Sequence, residues 1–184
     1  MLKQYINTLV GNATRRQWDA PTIDKYIGDV KDVYLTHSQD GSFRSWSASG
    51  ASVSAMLIHW LETGVIDGAV VCKTVVQEGK VRGQFYIATN RQEVLDSRGS
   101  LYVEVKFARE ALPLIEAFSG NLAMVGLPCH VDILRRRMRR DPETRSKIKG
   151  TIALVCGHSS QTRLIDGVTG QLEDEQGAAL TGYH

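Results

Sequence analysis

The sequence predicts an α/β fold: a mixed sheet with helices packed on it and cofactor loops at the strand ends. Three observations lead there. Short runs rich in β-branched residues, such as "GAVVCKTVV", alternate with stretches whose apolar residues recur at helical spacing. Loops of small residues stand directly before several of the helices. Near the end two units share one plan, in which an apolar strand, a loop carrying a cysteine and a helix follow one another. With 184 residues, 42% hydrophobic and 23% charged, the chain is long enough to bury a sizeable core. Residues 1–32 are expected to form a helical or irregular lead-in, and 33–184 the α/β domain, incomplete at its C-terminus because the tail "GQLEDEQGAALTGYH" is polar and poorly patterned.

In order along the chain, "DAPTIDKYI" carries a proline where a short helix can start. "VKDVYLTHS" reads as a strand and "QDGSFRSWSASG" as a long polar loop. From Ser52, the residues Val53, Met56, Leu57, Trp60 and Leu61 mark one face of a helix that stops at Gly64. "VIDGAVVCKTVV" follows as a buried strand, "QEGK" as a turn and "VRGQFYIAT" as its hairpin partner. Asn90 and Glu93 have the spacing of a capping box for a short helix closed by Gly99.

"SLYVEV" is extended, and "FAREALPLIEAF" is helical with Ala108, Ala111, Leu112, Ile115 and Phe118 on its core side, kinked or broken at Pro113. "NLAMVGLPC" leads into the helix "HVDILRRRMRR", Asp141 and Pro142 open a further short helix, and "TIALVCGHSS" leads into "QTRLIDGV", a weaker helical pattern. In open α/β sheets ligands bind outside the carboxyl ends of strands. Convergence of the loops Ser47 to Ser52, Gly126 to His130 and Cys156 to Ser160 would therefore make a cofactor site.

Lys plus Arg number 22 and Asp plus Glu 20, a net charge of +2 that makes neither nucleic acid nor anionic lipid the default partner. No stretch has the length of a membrane span, and the first residues lack the apolar core of a secretory signal, so a cytoplasmic location is expected. Three cysteines, 57 and 27 residues apart, do not make a disulfide framework. Cys72 reads as a core residue of its strand. Cys129 and Cys156, at equivalent loop positions, are either inert thiols or ligands of a soft metal centre, zinc or iron–sulfur, which His130 and His158 could complete. A Cys–His nucleophilic pair ranks lower, because neighbours such as Cys129 and His130 point apart.

Between Arg135 and Lys149 eight basic residues stand against two acidic ones. No aromatic residue is interleaved with them for stacking, so the patch reads as a solvated helix face or a dock for an acidic partner rather than for nucleic acid. The hydrolase, zinc-protease, Walker and Rossmann motifs are all missing.

The order of the pieces resembles the coenzyme F-420 hydrogenase/dehydrogenase beta subunit family. The likeness is carried by "VYLTHSQDGSFRSWSASGASVSAMLIHWLETGVIDGAVV", "FYIATNRQEVLDSRGSLY", "VGLPCHVDILRR" and "IALVCGHSS" in that order. It implies an oxidoreductase that binds FAD beside a 4Fe-4S cluster and passes electrons between the cluster and a small-molecule carrier, coenzyme F-420 in the founding members, with a redox partner protein or subunit. By position, Ser49, Gly50, Ser54, Gly99, Ser100 and Tyr102 become flavin-site candidates, and Cys129 and Cys156 cluster-ligand candidates. Ala51 stands where the family has a second glycine, Leu101 where it has a lysine and His130 where it has a glutamine. The alternative reading is a cofactor-less α/β binding or scaffold module that docks an acidic partner through residues 135–149.

Overall fold

The computed structural model describes residues 30–156, 160–179 and 181. The chain divides into two compact units, Met1–Thr36 and His37–His184. In the first, the described residues 30–36 adopt no regular secondary structure; the expected helix in "DAPTIDKYI" and most of the 1–32 lead-in lie outside the described residues. The strand expected over "VKDVYLTHS" is not formed, because an extended segment becomes a strand only when a neighbour pairs with it and residues 30–38 have no strand partner among the described residues.

The second unit runs α1 (Gly41–Arg44), a 3-10 turn (Ser49–Ala51), α2 (Ser52–Glu62), β1 (Gly68–Gln77), β2 (Lys80–Ala88), α3 (Arg91–Asp96), α4 (Phe107–Ala117), β3 (Leu122–Gly126), α5 (Pro128–Arg140), α6 (Pro142–Lys147), β4 (Ile148–Ala153) and α7 (Thr162–Gln176). The four strands form one sheet in the order β2-β1-β3-β4, with β1 antiparallel to β2 and parallel to β3, and β3 parallel to β4. The expected mixed α/β sheet is thus the fold observed.

Alternation along β1 builds the two cores. Ala69 and Val71 face a layer formed by α2 and α3 through Leu57, Ile58 and Val94, while Val70 faces one formed by α4 and α5 through Ile115, Val131 and Leu134. Full burial of side chains such as Leu57 or Ile115 contributes about 1.5–3 kcal/mol each. The first half of β1 is buried because β3 flanks it only over Gly68–Val70; beyond that it continues with β2 as a half-buried hairpin. That hairpin turns at Glu78 and Gly79, both at positive φ (52° and 70°), as a two-residue turn matching the strand twist requires.

Several boundaries differ from expectation. The "polar loop" contains α1, whose Asp40 cap accepts from the Ser42 N–H and whose Phe43 is buried. On α2 the buried side includes Ile58, whereas Met56 is exposed. Helix α4 runs through Pro113, which sits on its exposed side, and Ala108 is exposed rather than in the core. The Asn90 cap of the expected capping box is formed: its side chain accepts from the Glu93 N–H, and the Glu93 carboxylate accepts from the Thr89 N–H. Helix α7 extends well past "QTRLIDGV" to Gln176 and ends at Gly177 (φ 62°), so much of the polar tail is helical. A bidentate ion pair, Arg82 to Asp166 at 2.6 and 3.0 Å, ties it to β2.

Candidate functional site

The segment Ser47–Ser54 enters α2 through an unusual turn. Gly50 (φ 83°, ψ 2°) and Ala51 (φ 61°, ψ 19°) are successively left-handed, and the Gly50 carbonyl accepts from the Ser38 N–H at 2.7 Å. Glycine adopts this conformation freely; alanine pays about 1 kcal/mol or more for it. The Ala51 methyl is packed in the core beside Phe43 and Leu57, so it fills apolar space rather than the outside of the turn. No side chain caps α2, and the Ser47 hydroxyl is buried without a hydrogen-bond partner among the described residues. An uncapped helix start, a glycine at the close-approach position and an orphaned hydroxyl are features that fit a phosphate-bearing cofactor. Ser54 lies half-buried in the first turn of the same helix.

The other flavin-site candidates follow α3, which packs against α2 through the shared cluster containing Val94 and Leu57. Gly99 (φ 98°) has open space where a side chain would stand, and Ser100 and Tyr102 are exposed. From there the chain crosses to the opposite face of the sheet. Val105 and Leu101 pass so closely over β2 that a side chain at Gly83 would overlap Val105. Val103 forms an isolated bridge with Ser160, sealed by bonds between the Ser160 N–H and the Tyr102 carbonyl (2.9 Å) and between the Glu104 N–H and the Ser160 carbonyl (3.2 Å).

The two cysteine loops differ in form. β3 passes into α5 through Leu127 alone, so Cys129 lies in the first helical turn with its side chain exposed. His130 turns the other way: it is 8% exposed, stacks on Phe107 (centroids 5.0 Å apart, planes at 10°) and meets Phe85 edge-on. Its Nδ1 accepts from the Leu127 N–H at 3.3 Å, and burial pushes its pKa down, which favours the neutral ring. The adjacent Cys129 and His130 do point apart, as expected. Cys156 is exposed in an irregular stretch after β4, and His158 lies outside the described residues. Cys72 is half-buried in β1, its thiol pushed up to about 12 by burial and by the nearby Glu110.

Of the three small-residue loops, Ser47–Ser52 heads a helix on one face of the sheet and Gly126–His130 a helix on the other; part of Cys156–Ser160 lies outside the described residues. Among the described residues no group of three or more His, Cys, Asp or Glu side chains is placed to hold a metal ion. A 4Fe-4S cluster takes four thiolates, and this chain has three cysteines, one of them in the sheet, so its own residues do not fit a complete cluster.

Sequence reasoning overlooked a depression of about 390 Å³ on the α4/α5 face, where Val105–Arg109 meets Cys129, His130 and Ile133. Its only sequence signal is the basic pair Lys106 and Arg109 at the start of a helix. On the basic stretch, Arg136 pairs with Asp132 (2.7 Å), Arg137 with Glu116 (2.9 Å) and Lys147 with Glu143 (2.9 Å), whereas Arg135, Arg139 and Arg140 are exposed with no ion pair among the described residues. No helix among the described residues is long and apolar enough to cross a membrane.

The family profile described as coenzyme F-420 hydrogenase/dehydrogenase, beta subunit N-term, matches residues 33–109, and the one described as its C terminus matches residues 119–178. An uncharacterised protein of Methanocaldococcus jannaschii is 30% identical over 114 residues, 59% of this chain and 31% of that protein. The coenzyme F-420 hydrogenase subunit beta of Methanosarcina barkeri is 24% identical over 143 residues, 72% of this chain and 46% of that protein. A solved chain of the F-420-reducing [NiFe] hydrogenase complex from Methanosarcina barkeri superposes with a TM-score of 0.56 at 20% identity, covering 78% of this chain and 49% of that one, which supports the fold. The chain spans 31% and 46% of the length of these two curated relatives. The two profiles, in order along the chain, place it in the coenzyme F-420 hydrogenase/dehydrogenase beta subunit family.

Proposed function

We propose that the chain works as an electron-transfer subunit of a hydrogenase or dehydrogenase assembly, binding FAD at the Ser47–Ser54 turn and exchanging electrons with a hydride carrier such as coenzyme F-420. The observation that carries this reading is the turn itself: an uncapped α2, left-handed Gly50 and the unpartnered Ser47 hydroxyl. In this reading the start of α2, with Ser54, faces the dinucleotide phosphates with its positive end, and Gly50 lets them approach the backbone. Ser49 belongs to the same turn, while Gly99, Ser100 and Tyr102 offer further contacts from the exposed segment after α3. A bound flavin supplies the ability to exchange a hydride's electron pair on one side and single electrons on the other. The protein contributes position and exclusion of water.

Cys129 and Cys156 are proposed ligands for a 4Fe-4S cluster, with the remaining thiolates coming from outside this chain. A redox partner subunit and a cytoplasmic setting belong to the same proposal. The test is the visible spectrum of protein purified without oxygen, with FAD and iron quantified on one sample. Bound flavin that disappears in Gly50→Val, with helix content unchanged, supports the site; flavin retained by that variant places the cofactor elsewhere.

The unpaired Arg135, Arg139 and Arg140 favour one second reading, a binding module for an acidic protein. A colourless protein that takes up no added FAD and binds its partner with strong salt dependence is its expected signature.

A further inference from the structure

We propose that the depression between the starts of α4 and α5 is a binding site for a small anion, a carboxylate or phosphate joined to a flat apolar group. Three observations meet there. Both helices direct their N-termini to it: α4 begins at Phe107 without a side-chain cap and α5 begins at Pro128, and helices of 11 and 13 residues each present partial positive charge at that end. Lys106 and Arg109, exposed on its wall, have no acidic partner among the described residues.

The third observation is His130, which lines the depression although it is 8% exposed. Its Nδ1 accepts the Leu127 N–H, so in the neutral ring the proton sits on Nε2. Among the described residues nothing accepts that proton. The ring therefore offers a donor on the wall of the depression, and an anion seated here would accept from it while meeting two cations and two helix starts. The apolar part of the ligand has its own wall in Phe107, held parallel to His130, and Ile133. A metal cation fits poorly, since every charge aimed at the depression is positive and Cys129 is the single thiol on it.

This site stands on the α4/α5 face, opposite the α2/α3 layer on which the FAD proposal rests, and it requires no flavin. The probes are benzoate, acetate and inorganic phosphate, titrated into the full chain and followed by amide NMR. Saturable shifts at Phe107, Cys129 and His130 are expected, with benzoate tighter than acetate by at least fivefold because only benzoate uses the apolar wall. Lys106→Ala and Arg109→Ala should each weaken benzoate binding about fivefold, and His130→Phe, which keeps the packing and removes the donor, at least as much. Shifts that do not saturate, that centre on Arg135 to Arg140, or that survive in the Lys106 and Arg109 variants would overturn the proposal, as would equal affinities for acetate and benzoate. Loss of flavin or iron in any of these samples bears on the proposed function alone.

Discussion

Two regions built on one sequence plan, β3–Cys129–α5 and β4–Cys156–α7, take different forms. β3 lies between β1 and β4, its residues Leu122, Ala123 and Met124 are wholly buried, and a single residue joins it to a helix opened by Pro128. β4 is an edge strand, half-exposed along its length, and the described residues 154–156 that follow it adopt no regular structure. Place in the sheet makes the difference. A central strand is clamped on both sides and faces, so its loop is short and geometrically defined, while an edge strand leaves its loop free to diverge. Cys129 is therefore positioned by its helix, and Cys156 by whatever meets its loop.

The largest expected effect separates the two strands directly. Met124→Ala should destabilise the fold by about 2–5 kcal/mol, since the cavity forms in a closed core, and Ile152→Ala on the edge strand by clearly less. Chemical denaturation measures both, and equal losses would break the contrast. Next is the tight junction after β3. A side chain at Gly126 would stand 3.1 Å from the His130 ring and from the Met124 sulfur, so Gly126→Val should cost about 1–3 kcal/mol in the same assay.

A smaller effect is expected where α7 is fastened. The Arg82 guanidinium bonded to Asp166 holds its carboxyl below the ordinary 3.8, helped by Lys80. A carboxylate whose folded pKa is depressed contributes stability above its unfolded pKa and loses that contribution as the pH falls through the folded value. The α7 contact should thus weaken below about pH 4, and Asp166→Asn should flatten that acid limb in a helix-content titration by circular dichroism. Both loop cysteines are exposed, so a thiol reagent should modify Cys129 and Cys156 in the native protein and reach Cys72, whose thiol is raised to about 12, only on unfolding.

Local chemistry was legible where it acts locally. The Asn90 cap, the Asp141–Pro142 helix start and the β1–β2 hairpin all stand as the residues indicate, because a cap or a two-residue turn is settled within a few residues of itself. Gly177 was available as the stop of α7 but was obscured by the polar run before it. The strand expected at residues 30–38 was not legible, since its existence depends on a partner distant in sequence. For the site, Gly50 and its neighbours could be named from motif order, whereas the orphaned Ser47 hydroxyl and the His130–Phe107 stack arise only when remote segments meet.

The sequence by itself determined the α/β class, the elements whose periodicity is strong, the family-like order of loops, and a cysteine inventory too small for a complete cluster. Only the tertiary structure decided that the small-residue loops Ser47–Ser52 and Gly126–His130 serve opposite faces of the sheet, and that two helix starts, two cations and a buried histidine share one depression. The reason is physical: periodicity reports which side of an element is apolar, but the face of the sheet it covers is set by crossover connections and long-range packing.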